Sequence, residues 1–205
     1  MKRYFITGIG TDVGKTIAAA ILAEALEADY WKPIQAGNLE NTDSMKLSKL
    51  VSNSKSIIHP ESYKLKLAMS PHAAAEHENI KISLTDIHLP KTQNYLVIEG
   101  AGGLLVPLNN HDTMIDLIDK IYCEVILVSK HYLGSINHTL MSIDILKRRN
   151  ISIGGLLFNG NENKETESII KNLTGIKVIG RINKLEQINS QSIKYETKYF
   201  KDSVR

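Results

Sequence analysis

Nine residues near the amino terminus, Gly8-Ile9-Gly10-Thr11-Asp12-Val13-Gly14-Lys15-Thr16, follow the apolar run Tyr4 to Thr7 and lead straight into an alanine-rich stretch, Thr16 to Ala28. A glycine-rich turn between a strand and a helix presents backbone N–H groups and the positive end of the helix to one point, which suits an anion such as phosphate. Lys15 adds a compact cation there and Thr16 a hydroxyl able to meet Mg²⁺, so the segment reads as a phosphate-binding loop. The spacing departs from the usual form. Five residues, not four, separate Gly8 from Gly14, and Ile9 stands where the first glycine is usual. A glycine-rich turn with an incidental Gly-Lys-Thr is the alternative, and the flanking strand and helix favour the phosphate loop over it.

Strand-like runs recur at Tyr4 to Thr7, Tyr30 to Lys32, Leu96 to Glu99, Val125 to Ser129, Leu156 to Asn159 and Val178 to Ile182. Several are continuously apolar, the pattern of parallel strands buried on both faces. Helical stretches lie between them at Thr16 to Ala28, Ser135 to Lys147 and Glu165 to Leu173, and the alternation predicts an α/β layer fold. At 205 residues the expectation is a single domain, 1–205, in which the order of the residues from about 186 onward is left open. The stretch from Ser52 to Thr92, broken by Pro60, Pro71 and Pro90, reads as long loops or short helices inserted between strands.

Composition excludes several classes of function. No apolar run approaches the ~18 residues that a membrane span needs, and no secretory h-region develops before Gly8 and Gly10. These features point to the cytoplasm and to no membrane partner. The single Cys123 excludes a disulfide framework and a multi-cysteine zinc site, and reads as a small buried hydrophobe. Net charge is +3, and residues 177–205 hold seven Lys or Arg against three acids. In the tail, Lys194, Lys198, Lys201 and Arg205 alternate with Tyr195, Tyr199 and Phe200, a pattern open to a polyanion or to plain solvation. Without a stacking or groove-reading motif beside it, solvation is favoured and no nucleic-acid partner is expected. His72 and His138 read as packing or capping residues, and Met45, Met69, Met114 and Met141 as core filler.

A phosphate loop also needs a carboxylate for its metal, usually at the end of a buried strand. Leu96-Val97-Ile98-Glu99-Gly100-Ala101-Gly102-Gly103 supplies one, with glycines behind Glu99 that let backbone approach a ligand; a solvated strand-end Glu is the alternative. Asp43, in Asn41-Thr42-Asp43, is a second candidate, although either Thr42 or Asp43 fits a helix N-cap. In Trp31-Lys32-Pro33-Ile34-Gln35-Ala36-Gly37, Lys32 falls at the carboxyl end of a parallel strand, beside the crevice where ligands of open α/β sheets bind.

These motifs, with Ser70-Pro71-His72, Leu133-Gly134-Ser135-Ile136-Asn137-His138 and Asn159, resemble in order and spacing the dethiobiotin synthetases over about residues 1 to 185. The resemblance implies a phosphate-loop NTPase fold with a mostly parallel sheet and helices on both faces. It also implies an ATP-dependent cyclo-ligase that joins 7,8-diaminononanoate and CO₂ into dethiobiotin, through a carbamate and a carbamic-phosphoric anhydride, with ADP and phosphate as the other products. By similarity Thr16, Asp43 and Glu99 hold Mg²⁺, Lys15 and Lys32 are catalytic, and Asp12, Val13, Gly14, Lys15, Thr16 and Ile17 wrap the triphosphate. Gly100, Ala101, Gly102, Asn159, Gly160 and Asn183 complete the nucleotide site, with Asn159 on adenine. Thr11, Ser70 and Pro71 face the diamine, and Leu133, Gly134 and Asn137 bind its tail carboxylate from the partner chain of a homodimer. The family usually has Ser or Thr where Ala36 stands, and Pro where Asn183 stands. The rival is a partitioning-type ATPase acting as a protein-interaction switch, but such proteins carry an extra lysine early in the loop, where this chain has Gly10.

Overall fold

Six hydrophobic runs become the backbone of one sheet because each is apolar on both faces. The computed structural model describes residues 2–200. Its strands are β1 (Arg3–Gly8), β2 (Asp29–Trp31), β3 (Ile34–Ala36), β4 (Ile58–His59), β5 (Tyr63–Leu65), β6 (Leu96–Glu99), β7 (Glu124–Lys130), β8 (Ile153–Asn159) and β9 (Val178–Ile182). Seven of them pair in parallel in the order β4-β2-β6-β1-β7-β8-β9, while β3 and β5 form a separate parallel pair. The helices are α1 (Lys15–Leu26), α2 (Asp43–Leu50), α3 (Pro71–His77), α4 (Met114–Ile121), α5 (Ser135–Arg148), α6 (Lys164–Thr174) and α7 (Ser190–Glu196).

Alternate residues of the strands feed two cores, one on each side of the sheet. Ile6, Tyr30, Val97 and Phe158 join the buried face of α1, whereas Phe5, Trp31, Ile98 and Val125 join Leu117 and Ile118 of α4. This two-sided burial is what continuous apolar runs require and is the arrangement of a parallel α/β sheet. Helix α1 lies against the sheet with Ala18, Ala19, Ala20 and Ala23 fully buried. Side chains this small let the helix backbone, and the loop before it, sit close to the strands.

The expected strands and helices recur with small boundary changes. β2 stops at Trp31, one residue before Lys32, because Pro33 cannot donate to a ladder. The inserted segment includes a short helix, as a reading of long loops or short helices allows, and also two short strands that it does not. It contains β4, β5 and α3, and the β3–β5 pair carries the Ala68-to-Ser70 turn up to the carboxyl edge of the sheet.

The carboxyl-terminal region differs from the solvated segment that its composition suggests. Asn189 caps α7 by accepting from the Ser192 N–H at 2.9 Å, and α7 packs on α1. Ile193 and Phe200 are fully buried in the α1 core, while Tyr195 and Tyr199 stay half exposed. The basic residues therefore decorate the outer face of an amphipathic element; Lys201 and Arg205 lie outside the described residues. Only Met114 of the four methionines read as core filler is buried, Met45, Met69 and Met141 being about half exposed. Cys123 is partly buried beside the second core, and burial pushes its thiol up to about 12, consistent with an unreactive small hydrophobe. Among the described residues no helix is long and apolar enough to cross a membrane.

Candidate active site

The loop that follows β1 closes over the carboxyl edge of the sheet and is pinned there by its own backbone. The Ile9 N–H donates to the Val128 carbonyl at 3.1 Å, and the Asn159 amide donates to the Val13 carbonyl at 2.8 Å. Gly14 begins α1 in the left-handed region, φ 96°, with no side-chain cap, so the first N–H groups of α1 remain for a ligand. A Cβ at Gly14 would stand 2.2 Å from the Asn159 amide nitrogen, so glycine is required there twice over. The Lys15 ammonium donates to the Gly10 carbonyl at 2.9 Å, folded back across the loop. Burial lowers the Lys15 ammonium from its ordinary value, opposed by the nearby Glu99 carboxylate.

Beside the loop, four charged or polar side chains from four elements form one cluster. The Thr16 hydroxyl, at the start of α1, donates to Glu99 Oε1 at 2.8 Å. Glu99, at the end of β6 and 1% exposed, also meets the Lys32 ammonium at 3.2 Å. Lys32 in turn donates to Asp43 Oδ2 at 2.6 Å. The ambiguity at the start of α2 resolves in favour of Thr42, whose hydroxyl accepts from the Met45 N–H at 3.1 Å as the N-cap. Asp43 is thereby left to point at Lys32. Burial pushes the Lys32 ammonium down, but the carboxylates of Glu99 and Asp43 outweigh it and hold the group above its ordinary value. The same ammonium holds Asp43 below the usual carboxylate range against the opposing effect of burial. Lys32 is therefore a fixed positive charge at any physiological pH.

The cluster lies in a cleft of about 1020 Å³ at the carboxyl ends of β1, β2 and β6, where the strand order turns back on itself. From the loop and α1, Thr11, Asp12, Gly14, Lys15, Thr16 and Ile17 line it. From the other side come Lys32, Asp43, Ser70, Pro71, Glu99, Ala101 and Gly102, as does Ala36. The remaining candidates lie elsewhere. Val13 is buried with its carbonyl tied to Asn159, and Gly100 packs on the Phe5 ring. Asn159, with its amide directed at the underside of the loop, does not line the cleft, nor do Gly160 and the exposed Asn183. Leu133, Gly134 and Asn137 are exposed at the start of α5, apart from this chain's cleft, and Leu133 is the most exposed large apolar side chain among the described residues.

Sequence reading did not single out three residues that shape the cluster. Gln35 accepts from the Asp43 N–H at 3.2 Å and donates to the Gly37 carbonyl at 2.9 Å, which anchors the start of α2 to β3. Tyr30 donates to Glu99 Oε2 at 2.7 Å, and Lys46 meets Asp43 Oδ1 at 3.0 Å. Two of them carried a signal. Tyr30 stands on β2 two residues before Lys32, and Lys46 is one helical turn beyond Asp43.

Among the described residues no three His, Cys, Asp or Glu side chains gather into a metal cluster. What the cluster offers is one hydroxyl and two carboxylates, all oxygen donors. That set suits Mg²⁺, which is commonly held by one or two carboxylates and completes its shell with water and substrate phosphates.

Comparison with known proteins sharpens the picture. A family model described as AAA domain matches residues 2–192. An ATP-dependent dethiobiotin synthetase BioD of Christiangramia forsetii is 54% identical over 200 residues, covering 98% of this chain and 96% of that protein. One of Cytophaga hutchinsonii is 55% identical over 202 residues, covering 98% of each. Among solved structures, the Pyrococcus furiosus cell division ATPase MinD superposes with a TM-score of 0.63 at 12% identity, covering 97% of this chain and 98% of that one. A ParA family ATPase from Chlorobium tepidum gives 0.61 at 13% identity, covering 99% and 96%. Likeness at that identity shows the phosphate-loop ATPase fold alone, whereas identity above one half along nearly the whole chain shows descent: the chain belongs to the ATP-dependent dethiobiotin synthetases.

Proposed function

We propose that this chain closes the cyclic urea of dethiobiotin from 7,8-diaminononanoate, CO₂ and ATP, releasing ADP and phosphate. The observation that carries the reading is Lys32, a buried ammonium between two carboxylates at the mouth of a phosphate loop, a group that binding a triphosphate does not by itself require. In the reaction, CO₂ adds to one amine as a carbamate. A carbamate oxygen attacks the γ-phosphorus and ADP leaves. The second amine then attacks the carbonyl carbon of the mixed anhydride, phosphate departs, and the ring closes.

The residue roles follow the family's pattern, and charge and position support those of Lys15, Thr16, Lys32, Asp43 and Glu99. Backbone N–H groups of Asp12 to Ile17 bind the phosphates, and Lys15 swings from the Gly10 carbonyl onto them. Lys32 sits between carbamate and γ-phosphate, where negative charge grows as the phosphoryl group transfers. Thr16, Asp43 and Glu99 would hold Mg²⁺, which would supply positive charge against that of the triphosphate. Thr11, Ser70 and Pro71 line the diamine end of the cleft, while Asn159, Gly160 and Asn183 stand outside its lining and their part at the base rests on the likeness to the dethiobiotin synthetases alone. The chain acts as a homodimer in the cytoplasm, with Leu133, Gly134 and Asn137 of one protomer receiving the substrate carboxylate of the other. In support, Gly134 opens α5 in the left-handed region, φ 102°, without a side-chain cap, leaving N–H donors free for an anion.

The test is coupling. Phosphate release from MgATP should require both 7,8-diaminononanoate and bicarbonate, and should match dethiobiotin formed one for one. ATP turnover that proceeds equally without the diamine would instead describe a partition-type switch.

A further inference from the structure

Glu99 is gripped from two sides. Oε1 faces the cleft, accepting from Thr16 at 2.8 Å and meeting Lys32 at 3.2 Å, while Oε2 accepts from the Tyr30 hydroxyl at 2.7 Å. Tyr30 is fully buried and pairs in register with Val97, so its side chain shares a sheet face with Glu99, two residues further along β6. Packed in the α1 core, the ring has no room to swing aside and carries its hydroxyl as a fixed donor. A carboxylate with one oxygen tied to such a donor turns the other outward. It is thereby set to make one bond to a cation in the cleft instead of two.

That distinction separates two abundant divalent ions. Mg²⁺ takes single oxygens at about 2.0–2.1 Å in a near-ideal octahedron, whereas Ca²⁺ takes about six to eight oxygens at 2.3–2.6 Å and readily accepts both from one carboxylate. Asp43 has both oxygens held by lysines, Oδ2 by Lys32 and Oδ1 by Lys46, but Lys46 is partly exposed on a long flexible stem. Tyr30 is the firmer of the two ties.

We propose that Tyr30 is the specificity-determining residue for the metal of this site: by holding Glu99 Oε2 it confines that carboxylate to a single metal bond and disfavours Ca²⁺ relative to Mg²⁺. The proposal rests on Glu99 being a metal ligand, as the proposed function has it. Tyr30 acts through positioning, because its hydroxyl donates to Glu99 Oε2 and works through that carboxylate.

Nucleotide binding reads this out without turnover. The affinity of adenylyl imidodiphosphate is measured in excess Mg²⁺ and in excess Ca²⁺ for the parent, Tyr30→Phe and Glu99→Gln. Tyr30→Phe keeps the ring and its packing, and its melting temperature checks that it folds. It should shift the ratio of the two affinities toward Ca²⁺ by about tenfold, the scale typical of losing a residue that orients a metal ligand. A merely structural tyrosine would weaken both affinities together and leave the ratio within about twofold of the parent, which would overturn the proposal. Glu99→Gln separates the two failures. If it weakens binding in Mg²⁺ while Tyr30→Phe leaves the ratio unmoved, Glu99 remains a ligand and Tyr30 is not the determinant; if it leaves Mg²⁺-dependent binding unchanged, both fall.

Discussion

Asp29 and Asp43 are both held low by their neighbours, yet they serve different ends. Asp43 spends its charge in the cleft. Asp29, 1% exposed at the start of β2, is structural. Burial pushes its carboxyl up, but hydrogen bonds from Thr92, the Ile57 N–H, His59 and Asn94 outweigh that and hold it below its ordinary value of 3.8. Its stabilising contribution is therefore complete above about pH 4 and is lost as pH falls through the lower folded value. Urea midpoints measured from pH 7 downward should show Asp29→Asn less stable than the parent at neutrality, with the gap narrowing in acid; a constant gap would contradict the linkage. Gly14→Ala addresses the loop. Its methyl group would collide with Asn159 and its φ of 96° disfavours any L side chain, so we expect a cost of about 1–3 kcal/mol in stability and loss of nucleotide binding, checked by denaturation and by calorimetry. The loop, Lys32 and Glu99 were legible from sequence because their chemistry depends on local order and spacing. Gln35 was not, since a strand glutamine acquires its role only when β3 and α2 meet, and Tyr30 signalled only its side of the strand, its bond to Glu99 arising where β2 and β6 pair.

At the level of elements, legibility followed burial. β1, β6, β7 and β8 announce themselves as continuous apolar runs because both faces are covered. β3 and β5 are three residues each and stand outside the main sheet, so neither has the length to show a period. The carboxyl-terminal element was hidden for a related reason: its buried anchors, Ile193 in α7 and Phe200 just beyond it, are seven residues apart in a basic, tyrosine-rich stretch that reads as surface. The Phe200 ring fits against Gly180 of β9, where a Cβ would approach it to 2.3 Å. Phe200→Ala should therefore cost about 3–5 kcal/mol of stability, a large part of what a domain this size possesses. Thermal or urea unfolding measures it. A loss below about 1 kcal/mol would mean that the tail is the solvated segment its composition suggests.

For the molecule as a whole, Leu133, Gly134 and Asn137 stand apart from this chain's own cleft, and the proposed homodimer would bring them to the cleft of a second copy. Mixing Lys15→Ala protein with a Gly134→Val protein should restore part of the activity that each lacks alone, because some sites then take one intact half from each chain. The space around Gly134 is open, so Gly134→Val acts through the positive φ and not through a clash. No recovery from a verified mixed dimer would mean that each site is built within one chain. The fold is shared with a ParA family ATPase and a MinD cell division ATPase, so the fold by itself does not single out ligation. On the function proposed above, what turns the fold toward ligation is the Lys32 charge just past β2, linked through Glu99 to the loop and through Asp43 to α2. The most direct measurement is kcat for dethiobiotin formation by Lys32→Gln at saturating diamine, bicarbonate and MgATP, with ATP binding measured separately. Loss of one electrostatic stabiliser of the transferring phosphoryl group predicts a fall of roughly 10²-fold or more, with nucleotide affinity changed far less. Turnover within about threefold of the parent, less than ~1 kcal/mol on the barrier, would show that Lys32 is a buried structural ion-pair partner and not a catalytic one.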